Sequence, residues 1–136
     1  AITDRHIDHG KSNTLVREAC FLSGLQKLIT KGSGGKNQNS WRPKAIYSYI
    51  QWNSIPPDFV VDISGYIDLK MKAVAAYESQ FYNNDSQEPD TPISSQNFMY
   101  SVRYRAADLG RLSNTDFAEG FKSERLISVN NIFDLK

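Results

Sequence analysis

The stretch Pro57-Asp58-Phe59-Val60-Val61-Asp62-Ile63-Ser64 decides the fold class of this 136-residue chain. Pro57 and the preceding Pro56 hold the backbone extended, and the β-branched and aromatic residues from Phe59 to Ile63 are typical of a strand. Ser64 is a suitable N-cap for a helix that we predict from Gly65 to about Tyr82. A strand that leads directly into a helix indicates the α/β class.

The other predicted elements lie on both sides of this stretch. Apolar residues at steps of three and four predict a helix from Gly10 to about residue 29, capped by Ser12 or Asn13, and residues 44–50 have the composition of a strand. Further along we predict a polar surface loop over residues 83–92, a helix from Thr91 to Leu109, and a strand or loop over residues 117–129. The whole chain, residues 1–136, is predicted to be a single domain.

The composition limits the classes of partner. Sixteen basic and fifteen acidic side chains leave a formal charge of +1, so we expect no binding of nucleic acid or of an anionic membrane through bulk electrostatics. The sequence has no unbroken apolar run that could span a bilayer, which favours a cytoplasmic protein. The single cysteine, Cys20, is expected to be buried as a small apolar residue.

The segment Asp4-Arg5-His6-Ile7-Asp8-His9 carries the candidate chemistry, because it holds both histidines of the protein together with two carboxylates. Imidazole and carboxylate are zinc ligands, and a catalytic zinc takes about three protein ligands plus a water. The segment precedes a predicted helix, so both histidines are expected in a loop at its positive end. The alternative is a polar helix cap with solvated histidines, and the residues alone leave both open.

The same segment resembles a signature of LmbE-like (PIG-L-related) zinc-dependent deacetylases, with Ile7 where the family usually has proline. Residues 15–19 match the same family. Further on, residues 57–64, 70–73, 76–81 and 117–121 resemble in collinear order the branch that contains the deacetylases of bacillithiol biosynthesis. The resemblance implies a Rossmann-like three-layer α/β fold of which this chain is the C-terminal part. The first strands and helices of that fold would be absent from the chain.

The resemblance also implies roles for particular residues. By position, His9 is a zinc ligand and Arg5 binds substrate. His6 is the catalytic histidine that either stabilises the oxyanion or protonates the leaving amine, and Asp8 is the carboxylate that orients it. The remaining zinc ligands and the general base belong to an N-terminal Ala-His-Pro-Asp-Asp motif, which this sequence lacks. We therefore expect the 136 residues alone to be inactive and to bind zinc weakly or not at all.

The implied reaction is removal of acetyl from an N-acetylglucosaminyl conjugate, most of all N-acetylglucosaminyl malate. The implied partners are this small sugar substrate and, in a homo-oligomer, further copies of the chain, with no nucleic acid or membrane. Two alternatives stay open: a catalytically incomplete fragment with a structural or assembly role, and a deacetylase of a different N-acetyl sugar.

Two further groups of residues allow a functional interpretation. The aromatic residues around the first predicted strand could stack on a sugar, but packing in the core or at a subunit contact is the preferred interpretation; they are Trp41, Tyr47, Tyr49 and Trp52. Three arginines of the last predicted helix could bind the malate carboxylates, although a solvated helix face is the default; they are Arg103, Arg105 and Arg111.

Overall fold

A computed structural model describes residues 1–85, 87 and 89–135 of the chain. The described residues form three α-helices and a small antiparallel sheet of three strands, which confirms a mixed α/β protein. The helices are α1 (Ile7–Leu22), α2 (Ile67–Ala75) and α3 (Gln96–Leu112). The strands are β1 (Tyr47–Tyr49), β2 (Phe59–Asp62) and β3 (Ala118–Ser123). Two short 3₁₀ helices cover Ser64–Tyr66 and Ile132–Asp134. In the part of the chain that the structure describes, no helix is both long and apolar enough to cross a membrane.

The strand order in the sheet is β1-β3-β2. The pair of β1 and β3 is antiparallel, with Tyr47 opposite Ser123 and Tyr49 opposite Phe121. Asp58, just before β2, fixes the far end of β3: it accepts hydrogen bonds from the Lys122 side chain and from the Ser123 N–H, the latter at 2.7 Å. These two donors hold the pKa of Asp58 below its ordinary value.

The chain divides into two compact units, residues 1–59 with 121–135, and residues 60–120. The first unit holds α1, β1 and the second half of β3. Asn13 of α1 donates a hydrogen bond of 2.7 Å to the hydroxyl of Ser48, a buried residue of β1. Phe59 and Phe121 stack with ring centroids 5.4 Å apart. The prediction of one domain over residues 1–136 stays a prediction.

The second unit has its core between α2, α3 and the chain that precedes β3. Ile63, Ile67 and Ala106 form the buried cluster, and Phe117 packs against it. The Ile63 N–H donates to the Phe117 carbonyl at 2.9 Å, which ties the end of β2 to this cluster. The stabilising force is therefore apolar burial at the junction of one strand and two helices.

The predicted helix start at Ser64 is wrong. The Ser64 hydroxyl donates to the Asp62 carboxylate at 2.6 Å and accepts from the Phe117 N–H at 3.1 Å, so it does not cap a helix. A 3₁₀ turn follows, and α2 begins only at Ile67. The helix also ends at Ala75 rather than near Tyr82, and beyond it Phe81 stacks on Phe98 of α3 at 5.7 Å. That tertiary contact outweighs the helical periodicity of the segment.

The bounds of the first helix also differ from the prediction. Helix α1 ends at Leu22, where side chains satisfy two carbonyls of the last turn. The Ser23 hydroxyl donates to the Cys20 carbonyl at 3.0 Å, and the Arg42 guanidinium donates to the Phe21 carbonyl at 3.1 Å. Leu25 and Leu28 lie beyond the helix, where their N–H groups donate to the carbonyls of Leu22 and Leu25 at 3.0 and 3.1 Å. The predicted loop over residues 83–92 includes Ser86 and Glu88, which lie outside the described residues.

Candidate functional site

The histidine segment starts helix α1 rather than preceding it. His6 is the N-cap residue, and its Nδ1 accepts a hydrogen bond from the Asp8 N–H at 3.3 Å. His9 lies in the first turn of the helix. The predicted caps Ser12 and Asn13 are wrong, because the imidazole of His6 takes the capping role that a serine or asparagine oxygen usually has.

Asp4 is the centre of the site. Its side chain is only 3% exposed, and one oxygen accepts from the His6 N–H at 3.1 Å while the other accepts from the Trp52 N–H at 3.1 Å. Burial raises the pKa of the Asp4 carboxyl, but the hydrogen bonds from the His6 and Trp52 N–H groups and the nearby His9 outweigh burial. The pKa of Asp4 therefore lies below its ordinary value.

The Asp4 carboxylate also orients His9. Its Oδ1 lies 3.0 Å from the buried Nδ1 of His9, although the ring N–H is poorly aligned with that oxygen. The His9 side chain as a whole is 37% exposed, so other atoms of the ring reach solvent. A carboxylate at Nδ1 favours the tautomer with a proton there and a lone pair on Nε2.

His6 is in the opposite tautomer when neutral. Because a backbone N–H donates to its Nδ1, the ring proton of neutral His6 belongs on Nε2. The Asp8 carboxylate lies 3.7 Å from the same Nδ1, and both side chains are exposed. The two imidazole rings are 5.3 Å apart between centroids. The structure thus brings together one imidazole whose Nε2 can accept and one whose Nε2 can donate.

Arg5 is also held at this site. Its guanidinium lies 5.2 Å from the centroid of the Trp52 ring, in a cation-π contact. Trp52 therefore contacts the segment twice, through its backbone to Asp4 and through its ring to Arg5. The structure places all four predicted site residues, Arg5, His6, Asp8 and His9, in one cluster of the first unit.

Asp4 was not predicted as a site residue, and Trp52 was considered only as one of the aromatic residues that could stack on a sugar. Asp4 lies within the quoted segment, but its link to Trp52 spans 48 residues and leaves no local pattern in the sequence. Its spacing from His9 is the one available signal, since a carboxylate five residues before a histidine at a helix start can reach back to Nδ1.

The site is incomplete as a metal centre in the described residues. Among them, no group of three or more His, Cys, Asp or Glu side chains lies close enough to hold a metal ion. His9 nevertheless fits the role of one ligand, because a zinc-bound histidine usually has a carboxylate or another acceptor at the ring nitrogen that does not bind the metal, and Asp4 lies at Nδ1.

The other groups that the sequence singled out are placed elsewhere. Trp41, Tyr47 and Tyr49 are more than half exposed. The prediction that these side chains pack in the core is therefore wrong, and their place in a subunit contact stays a prediction. Arg103 pairs with Asp68 at 2.8 Å and Arg111 with Asp108 at 2.8 Å. Both guanidinium groups are thereby engaged within the second unit.

Comparisons with known proteins find a similar structure but assign no function. No family model matches the chain. Its structure is similar to that of the conserved protein TT1542 from Thermus thermophilus, with a TM-score of 0.74 and 25% sequence identity over 95% of this chain. The chain spans about half of that protein, 51% of its length.

Proposed function

We propose that this chain is part of a zinc-dependent N-deacetylase of the LmbE-like type, acting on an N-acetylglucosaminyl conjugate such as N-acetylglucosaminyl malate. The observation that carries the proposal is the Asp4–His9 pair beside His6. One buried carboxylate lies 3.0 Å from His9 Nδ1 and also accepts from the His6 N–H. The coverage of only half of the similar structure fits an active site completed by residues outside this chain.

His9 would hold the zinc through Nε2, with Asp4 as the carboxylate behind it. The further ligands and the general base are proposed to come from a segment that this sequence lacks. A bound zinc would supply a Lewis acid and an acidified water for amide hydrolysis. Asp4 keeps the negative charge that this arrangement needs, because its pKa is held below the ordinary value.

His6 would deliver the proton. When the bond between the acetyl carbon and the sugar nitrogen breaks, the departing amine needs a proton; His6 in its doubly protonated form can donate it from Nε2 and is left as the neutral ring. The Asp8 carboxylate, 3.7 Å from Nδ1, would orient the ring. Arg5 is held over Trp52 and would bind a carboxylate of the aglycone. The products are the free amine and acetate.

Substitution of the two histidines in the complete enzyme separates their roles. We expect His9→Ala to lose both zinc, measured by plasma mass spectrometry, and acetate release. We expect His6→Ala to keep zinc and to lose about 10²- to 10⁴-fold in turnover, as is usual for a general acid. Lys11→Ala, an exposed change further along α1, is the control and should change neither. Wild-type zinc content and turnover in His9→Ala would remove the proposal.

The sugar specificity is tested separately. Acetate release is measured on N-acetylglucosaminyl malate, on N-acetylglucosamine alone and on an N-acetylglucosaminyl conjugate without carboxylates. We expect the malate conjugate to be preferred and the preference to fall in Arg5→Gln. Equal rates on all three substrates would show that the carboxylates of the malate are not recognised.

A further inference from the structure

A cleft of about 420 Å³ lies beside the C-terminal half of α1. Its walls are α1 at Arg17, Cys20 and Phe21, residues 42–47 up to the start of β1, and residues 123–128 from the end of β3 onward. All of these belong to the first unit. His9 and Arg17 are two turns apart on one helix, roughly 12 Å along its axis, so the cleft is separate from the histidine cluster. Its volume is in the range of pockets that bind small molecules.

The charges that line the cleft are mostly positive. Its described lining residues include four cations, Arg17, Arg42, Lys44 and Arg125, and one carboxylate, Glu124. Glu124 is engaged by Arg17, whose Nε lies 2.7 Å away. Arg42 donates to a backbone carbonyl of α1. Lys44 and Arg125 have no ion-pair partner among the described residues, so the cleft keeps uncompensated positive charge.

The rest of the lining is apolar. The Phe21 ring is 58% exposed and carries the Arg42 guanidinium 4.8 Å from its centroid. Ile46, Leu126 and Ile127 line the same space. An apolar surface beside two unpaired cations suits a ligand that has an apolar body and an anionic group.

We propose that this cleft binds a small organic anion, in which a phosphate or carboxylate contacts Lys44 and Arg125 and an apolar group lies against Phe21. A guanidinium can take two oxygens of either anion, and an ammonium adds a point charge. The site is independent of the proposed deacetylase chemistry, and its test needs no enzymatic activity.

Cys20 gives a reporter for the cleft, because it is the single cysteine of the sequence and lies in the wall. It is partly exposed there, rather than buried as the sequence predicted. The rate at which iodoacetamide alkylates it is followed by intact mass in the presence of benzyl phosphate, phenylacetate or benzyl alcohol. We expect saturable protection by one or both anions and none by the alcohol at the same millimolar concentration. The relative affinity of the cleft for the two anions identifies the preferred anionic group.

Calorimetric titration with benzyl phosphate and phenylacetate measures the same binding without use of the thiol.

The double variant Lys44→Gln/Arg125→Gln tests the two cations. We expect the dissociation constant of the preferred anion to rise about tenfold for each cation removed. The matched control is Lys27→Gln/Lys36→Gln, which removes the same charge outside the cleft and should leave the affinity unchanged. Equal protection by benzyl alcohol, no binding of either anion by calorimetry, or an unchanged affinity in the cleft variant would overturn the proposal.

Discussion

Asp4 shows how one buried side chain can organise a polar segment. Its two oxygens accept from the backbone of His6 and Trp52, and one of them also lies against His9. The two backbone hydrogen bonds are ordinary, but they and the contact with His9 all depend on a carboxylate that has almost no contact with water. Removing such a group leaves several donors without a partner, and this costs more than the loss of one exposed hydrogen bond.

Asp4→Asn is expected to destabilise the protein by about 1–3 kcal/mol at neutral pH, because an amide keeps one acceptor oxygen and loses the charge. Since the folded pKa of Asp4 is depressed, its contribution is present above the unfolded pKa of about 3.9 and is lost as the pH falls through the folded value. Urea unfolding of both proteins between pH 7 and pH 3 measures this. The difference in free energy of unfolding between the wild type and Asp4→Asn should be constant down to about pH 4 and shrink below it. A difference that grows towards acid pH would contradict a depressed pKa of Asp4.

At the scale of elements, the end of α3 depends on a close backbone approach. A Cβ atom at Gly110 would lie 2.7 Å from the backbone of Asp116 and of Phe117, closer than real contacts allow. The chain folds back at this point, since Ser113 and Thr115 both donate their N–H groups to the Gly110 carbonyl at 2.9 Å. The glycine therefore lets β3 begin beside the helix that precedes it.

Gly110→Ala is expected to lower the free energy of unfolding by about 1–3 kcal/mol, as is usual for overpacking. Gly65→Ala is the control, because a Cβ there meets nothing within 4 Å and the backbone is not left-handed. The control should be neutral or slightly stabilising. Chemical denaturation measures both, and equal effects of the two changes would show that the close approach at residue 110 is unimportant.

The pair of Asn13 and Ser48 joins α1 to β1. A double-mutant cycle of Asn13→Ala and Ser48→Ala should give a coupling energy of about 0.5–1.5 kcal/mol, since the 2.7 Å hydrogen bond is partly buried. Urea denaturation of the four proteins gives this value. Additive effects would mean that the bond contributes nothing to the attachment of the helix.

The elements could be predicted from the sequence better than their ends could. The helix from residue 91 was expected from periodicity, but Thr91 and Ser94 bond to each other, and Ser95 then caps α3 through the Phe98 N–H at 3.1 Å. Competing side chains close to a helix start decide such bounds. The histidine cluster was predictable because its members are adjacent in sequence, whereas the contact of Asp4 with Trp52 depends on the tertiary fold.

At the scale of the whole molecule, much apolar surface remains exposed in the described residues. Helix α1 contains no buried residue, and Leu15 and Val16 on it are more than half exposed. Ile67, by contrast, is 4% exposed and belongs to the core of the second unit. Apolar side chains of similar size thus contribute very differently to stability.

Leu15→Gln/Val16→Gln should change the free energy of unfolding of the chain by no more than about 0.5 kcal/mol and should reduce binding of a hydrophobic dye such as anilinonaphthalene sulfonate. Ile67→Ala, the buried counterpart, should cost about 2–5 kcal/mol. Denaturation curves and dye fluorescence of the three proteins check this. A large loss of stability in the α1 variant would mean that this face is covered in solution.

The two units also differ in how their residues are distributed along the chain. Among the described residues, the second unit lies between residues 60 and 120, whereas the first unit needs residues 121–135 to join residues 1–59. A ribosome makes the chain from its N-terminal end, so the second unit is fully synthesised before the first has its last strand. Until residues 121–123 emerge, β1 lacks its partner β3 in the sheet, and the unit that contains the histidines cannot be completed before then.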